Sequence, residues 1–445
     1  MLASSFKHKK EYKEILVSKK IVLLFIIIQL SHCSFYSKSS FWNKKEIKED
    51  VNKKEIFKDI KVSNFEINSD LEIDIESLKF TENSFQNNLT NNNGKLNYDG
   101  KLKKILKYKF SKIDKFDEFE PEIIFDKSSL IFFSNKGSIL KFDDKTKLIW
   151  EKNYYTKSEK KLKPILFFAN NKEILIVADN ISKVYAININ SGELLWSTNN
   201  PTAFNSEIKI NKNYFFLIDY QNILRCFSIK DGSEIWKFQT ENSILKSSKK
   251  LSLVIQDNKI IFNNSIGDIT AVDIKTGNLL WLVPTQKNIS STKHYFLKNS
   301  NLILNKDSVY VSNNQNEFYS IDIDKGVVNW IQNISSSLRS TIIGEYLFSI
   351  SDNGYLSVMN SKTGEIIRRT HIFSQFKKDK IKATGFIVGK NKIYISVNNG
   401  KILVASIKSG KIISSIKIDN EYISRPFILN KNMFVIKENG IIKVE

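Results

Sequence analysis

From about residue 121 onward, apolar and polar positions alternate in short runs of strand length, broken by turns rich in Gly, Asn and Asp. The clearest stretch is Ala271-Val-Asp-Ile-Lys-Thr-Gly-Asn-Leu-Leu-Trp281. Ala271 to Ile274 read as the end of one strand and Leu279 to Trp281 as the return strand. Between them Lys275-Thr276-Gly277-Asn278 forms a tight turn in which Gly277 supplies positive φ. Variants recur at 187–196, 228–236, 321–330, 359–367 and 405–413, with a degenerate first copy at 142–150 whose turn lacks glycine.

Taking the tryptophan position as marker (Trp150, Trp196, Trp236, Trp281, Trp330, then Arg368 and Ser414), successive spacings are 46, 40, 45, 49, 38 and 46 residues. A period of about 40–50 residues holding several short strands is the mark of a β-propeller blade. Each unit carries an upstream hairpin, such as 251–262 or 385–396. A second turn follows, such as Asn135-Lys-Gly137 or Asp352-Asn-Gly354. Four strands joined by three polar turns make a blade. The chain is therefore expected to be all-β, with the repeats forming one large domain.

The last unit is short of a strand. Residues 424–445 supply three, and no tryptophan turn follows them. An open edge would expose unpaired backbone donors and acceptors. The run 101–113 has a strand-like pattern, with Ile105, Tyr108 and Phe110 as its packing side. Residues 103–112 are therefore expected to close the last blade. With seven complete units from Pro121 onward, this gives an eight-bladed propeller over 101–445.

The N-terminal part differs in character. Lys19 and Lys20 precede the apolar run Ile21 to Leu30, too short to span a bilayer and suited to a signal-peptide core. Leu30-Ser31-His32-Cys33 follows and resembles a bacterial lipobox, although His32 stands where a small residue is usual. The resemblance implies lipid attachment at Cys33, and Ser34 after it implies transfer to the outer membrane. Residues 1–33 are thus expected to be a signal peptide ending in this motif. Residues 34–95, rich in Lys and Asn, are expected to form a flexible tether, the alternative being that part of the segment lies on the propeller or on a partner, which composition does not separate.

Composition narrows the function. Net charge is +21, from 68 basic and 47 acidic residues. The basic residues are spread throughout, without a run interleaved with aromatics on one face, so no nucleic-acid partner is expected. With only Cys33 and Cys226 there is no disulfide framework, and Cys226 reads as a buried thiol. The four histidines have no metal-ligand spacing, and no phosphate loop or nucleophile elbow occurs. The repeat carboxylates Asp231, Asp273 and Asp322 belong to turns. No catalytic constellation, metal site or cofactor is expected. The tryptophans, on the outermost strand of each unit, are expected to dock blade on blade. The last two marker positions, Arg368 and Ser414, are expected to dock less tightly.

Ala271, Asp273, Thr276, Gly277 and Trp281 together resemble the tryptophan-docking motif of quinoprotein, or PQQ-like, propellers. With the lipobox-like start and the N-terminal closing strand, the whole chain resembles the BamB family of outer-membrane assembly lipoproteins. That resemblance implies a non-enzymatic, lipid-anchored scaffold at the periplasmic face of the outer membrane. Its partners would be a BamA-like barrel-assembly subunit and unfolded outer-membrane proteins. By the same resemblance the connection after Trp236 contacts that subunit, placing Leu245 and Lys246 at the interface. Lys246 stands there for an arginine and lacks its bidentate geometry. The family's acidic second contact has no counterpart in the basic segment 291–299. A periplasmic quinoprotein enzyme and a polymer-binding propeller remain the alternatives, although the adjacent cysteine pair of many such enzymes is missing.

Overall fold

The computed structural model describes residues 73–86, 88–242, 247, 249–285, 297–374, 376 and 381–445, without the side chain of Ile105. Their strands form eight four-stranded antiparallel sheets, the blades of a propeller. Seven blades are meanders in chain order. Blade 1 runs from Ile124–Asp126 to Leu148–Lys152, and blade 7 from Ala383–Val388 to Ile412–Lys417. Blade 8 joins Phe427–Leu429, Asn432–Lys437 and Gly440–Val444 to the N-terminal strand Lys104–Lys109. That strand pairs antiparallel with Gly440–Val444, setting Tyr108 opposite Ile441. The expected closure by residues 103–112 is thus realised, with Tyr108 buried.

The middle strands are covered on both faces, so their sequences are mostly apolar. Ile174–Asp179 and Tyr355–Asn360 are buried along nearly their whole length. Outer strands such as Leu194–Asn199 alternate between exposed and half-buried. The cores lie between blades: Phe216, Ile218 and Cys226 of blade 3 pack against Leu253, Ile255 and Phe262 of blade 4. Burial pushes the Cys226 thiol up to about 12.

The repeat motif forms the seams. In blades 1 to 7, the pairing of third and fourth strands slips register just before the tryptophan position, as between Ala271 and Val272. Such a bulge adds local twist. Asp273 Oδ1 fixes the turn by accepting from the Thr276 backbone N–H and hydroxyl and from the Lys275 N–H. Gly277 has φ of 72°, and a Cβ there would lie 2.6 Å from the Trp236 ring of the preceding blade. Gly192 meets Trp150, Gly232 meets Trp196, Gly326 meets Trp281 and Gly364 meets Trp330 in the same way. Each indole N–H donates to one equivalent carbonyl of the next blade. The acceptors of Trp150, Trp196, Trp236, Trp281 and Trp330 are Ile189, Ile229, Ile274, Ile323 and Ser361. The glycine therefore serves the neighbouring blade's ring as well as its own turn.

Where tryptophan is missing, the structure differs from the expectation at Arg368. Its side chain is buried, and its guanidinium donates to the carbonyls of Ile407 and Lys408, the first being the equivalent acceptor. In blade 8, Tyr108 takes the docking position and donates its hydroxyl to Asp144 O at 3.3 Å. Ser414 is exposed. The outer strand of blade 8 is Lys104–Lys109 rather than the return arm of a hairpin, so among the described residues no such turn faces Ser414. Leu96, Tyr98 and Leu102 fill the apolar core between blades 7 and 8 instead.

Candidate functional site

The eight innermost strands run the same way around a central channel, and its two mouths are unlike. At one, the stretch 83–96 crosses the channel as a strap. It is tied to blade 8 through Ser84 N–H to Ile428 O, and to blades 4 and 5 through Ile255 N–H to Leu89 O and Leu304 N–H to Thr90 O. Asn92 accepts from Ile342 N–H of blade 6, and Leu96 N–H donates to Val388 O of blade 7. Inner strands are sheet edges, and the strap satisfies groups they would otherwise leave unpaired. Expected as part of the flexible tether 34–95, the segment from residue 73 is seated on the propeller instead. Ile75, Asn91, Asn93 and Lys95 are buried. A polar composition hid this because the contacts are backbone bonds and asparagine amides.

The other mouth is a funnel of about 870 Å³, walled by connections between blades, among them Glu120, Lys163, Asn205, Lys249 and Leu338, and by Thr384 of the innermost strand of blade 7. A short helix, Lys157–Lys161, stands at its rim. Thr156 caps it by accepting from Glu159 N–H, while the Glu159 carboxylate accepts from Thr156 N–H.

Between strap and funnel lies a hub of charge. Glu207, its side chain 2% exposed, accepts from Asn91 Nδ2 of the strap at 2.8 Å and Asn301 Nδ2 at 2.7 Å. It also pairs with Lys209 at 3.2 Å and Arg339 at 2.7 Å. Lys209 in turn donates to Asn88 O and Asn91 Oδ1 of the strap. Glu122 faces Arg339 at 3.2 Å, Lys250 at 3.4 Å and Arg425 at 3.6 Å. Burial alone would raise both carboxyls, but the surrounding cations overcome it and hold Glu122 and Glu207 well below the ordinary range. Both therefore stay ionised at neutral pH and are fully engaged, which suits structure and recognition better than proton transfer. Asp179, which burial raises, is occupied by turn N–H groups and by the Tyr155 hydroxyl at 2.5 Å. Among the described residues, no group of three or more His, Cys, Asp or Glu side chains is placed to hold a metal ion. The hub thus offers no donor set for a metal-assisted quinone.

Sequence reasoning missed the hub. Its signal was a charge within or just before an innermost strand, such as Glu207-Ile-Lys209, where other blades read Leu302-Ile-Leu304. The five docking tryptophans lie on outer strands, away from the channel. Cys33, Leu245 and Lys246 lie outside the described residues.

Eight four-stranded blades around a channel, joined at tryptophan–glycine seams, define the class: a PQQ-like repeat propeller. The family model described as outer membrane protein assembly factor BamB matches residues 135–370, more than half of the chain, and the chain belongs to that family. It is 22% identical over 205 residues to the outer membrane protein assembly factor BamB of Legionella pneumophila, a match covering 45% of this chain and 50% of that protein. The match thus spans about half the length of that curated relative. The crystal structure of BamB from Moraxella catarrhalis superposes with a TM-score of 0.63 at 14% identity, covering 77% of this chain and 99% of that one. A europium-containing methanol dehydrogenase superposes at 0.64 with 10% identity, covering 79% and 89%. Fold alone therefore does not separate scaffold from enzyme.

Proposed function

We propose that this protein is a non-enzymatic scaffold of outer-membrane protein assembly, anchored by lipid on Cys33 after removal of residues 1–33. Held at the periplasmic face of the outer membrane, it binds a BamA-like barrel-assembly subunit and aids insertion of unfolded outer-membrane proteins. The family match over residues 135–370 carries this reading. The asymmetry of the channel supports it, since the between-blade connections gather at the open mouth. By the family resemblance, contact is assigned to Leu245 and Lys246 in the connection after Trp236. The hub carboxylates Glu120, Glu122 and Glu207 are spent on ion pairs, which counts against the enzyme alternative. The strap across the channel counts against a polymer threading through it. The chain from residue 34 up to the seated segment serves as the tether, and the propeller occupies 101–445.

The test is crosslinking in native envelopes, followed by detergent-solubilised pull-down and mass spectrometry. Recovery of a large outer-membrane barrel protein with periplasmic repeat domains, crosslinked near Lys246, is expected. A membrane-bound protein that recovers no such partner would overturn the assembly role.

A further inference from the structure

The charges of the hub do not balance. Its carboxylates are Glu120, Glu122 and Glu207, and its cations are Lys209, Lys249, Lys250, Arg339 and Arg425. Glu207 and Lys209 are closed off beneath the strap. The surplus sits on the funnel side, around Arg425. This guanidinium lies over the Phe427 ring at 4.1 Å and reaches Glu122 only at 3.6 Å, through Nη2. Its Nη1 is buried and meets no hydrogen-bond partner among the described residues, and the same holds for Arg339 Nε. Burial, and Arg339 beside it, lower the Arg425 guanidinium to about 10. Two adjacent cations with unpaired buried N–H groups form a site short of negative charge.

Space is present at the same place. A cavity of about 30 Å³ lies between Arg339, Arg425, Asn93 and Asn301. It shares Glu120, Leu338, Thr384 and Tyr422 with the wall of the funnel, so it opens into the larger space. The cavity accommodates a head group of a few atoms, and the funnel accommodates whatever bears it. Planar donors of this kind match a carboxylate.

We propose that the floor of the funnel, at Arg425 and Arg339, is a binding site for the carboxylate of a ligand entering through the open mouth. This inference does not depend on which partner the face binds. The carboxylate can belong to a free small acid or to an acidic side chain or terminus of a protein segment.

The test is ligand-observed NMR on the full chain in low-chloride buffer, with acetate in one arm. An acidic hexapeptide and its all-amide counterpart form the other. Saturable binding of acetate or of the acidic peptide, but not of the amide, is expected. Acetate binding identifies a free acid as sufficient, whereas peptide binding alone identifies a protein carboxylate. Arg425→Gln should weaken the binding about tenfold or more, as loss of a charge-assisted pair implies. Arg425→Lys, which keeps the charge but not the fork, should fall between and serves if the glutamine variant folds poorly. Absence of saturable carboxylate binding, or binding unchanged in both variants, would overturn the proposal. Arg339 is a poorer test, because removing it also strips Glu207 and Glu122 of a partner.

Discussion

At the rim, Trp281 lays an apolar ring against Gly326 and donates one N–H to the carbonyl of Ile323. At the hub, Glu207 is held by Lys209, Arg339, Asn91 and Asn301, none within its own hairpin but Lys209. Rim contacts repeat from blade to blade, and at the five tryptophans they involve no ionisable group. Hub contacts do not repeat from blade to blade, and every one involves a charge. The rim determines how blades stack, and the hub determines what the channel can admit.

The largest effect is expected from breaking the rim. Trp281→Ala removes a ring that is 8% exposed and leaves a void between blades 4 and 5. It should cost about 3–5 kcal/mol, read as a lowered denaturant midpoint at unchanged slope. A loss below about 1 kcal/mol would show that the seam collapses around the gap.

Breaking the hub should cost a similar or slightly smaller amount, and only where Glu207 is ionised. Glu207→Gln strips Lys209 of its carboxylate and leaves Arg339 with Glu122 alone, and about 3–5 kcal/mol is the usual scale for breaking a buried pair. The sign with pH follows from the carboxyl being held low in the folded state. Its stabilisation is complete above the unfolded value of about 4.3 and disappears as pH falls through the lower folded value. The gap between wild type and variant should therefore be full at pH 7 and shrink progressively below about pH 4. Trp281→Ala should show no such convergence, and parallel pH profiles for the two variants would remove the distinction between rim and hub.

The same contrast explains what was legible. Blade number, the closing strand and the outer position of the tryptophans follow from a repeated pattern, which a single sequence displays several times over. The hub has no such redundancy. Arg339 and Glu207 are 132 residues apart and meet only because the ring closes. The strap was hidden for a related reason, as Asn88, Asn91 and Asn92 read as low complexity until their partners on the inner strands are known. Arg368 was misread because its type departs from the pattern while its hydrogen bond to Ile407 preserves it.

A smaller effect tests the blade 8 seam. Tyr108→Phe keeps the ring against Phe142 and removes only the bond to Asp144 O, so about 0.5–1.5 kcal/mol is expected. Thermal unfolding at two scan rates would detect it.

The smallest effect is expected from adding a tryptophan. If an indole stabilises a blade by itself, Ser414→Trp should stiffen blade 7 and raise the melting temperature. The structure argues otherwise, because an indole stabilises only by covering a turn glycine and reaching a carbonyl on the next blade. Blade 8 offers neither opposite Ser414, since its outer strand comes from residues 104–109. The substitution should therefore change stability by no more than about 0.5 kcal/mol, as for an ordinary surface site. A rise of several degrees would mean that blade 8 can build a docking surface without a hairpin, and the seam would then depend on the ring rather than on the turn it meets.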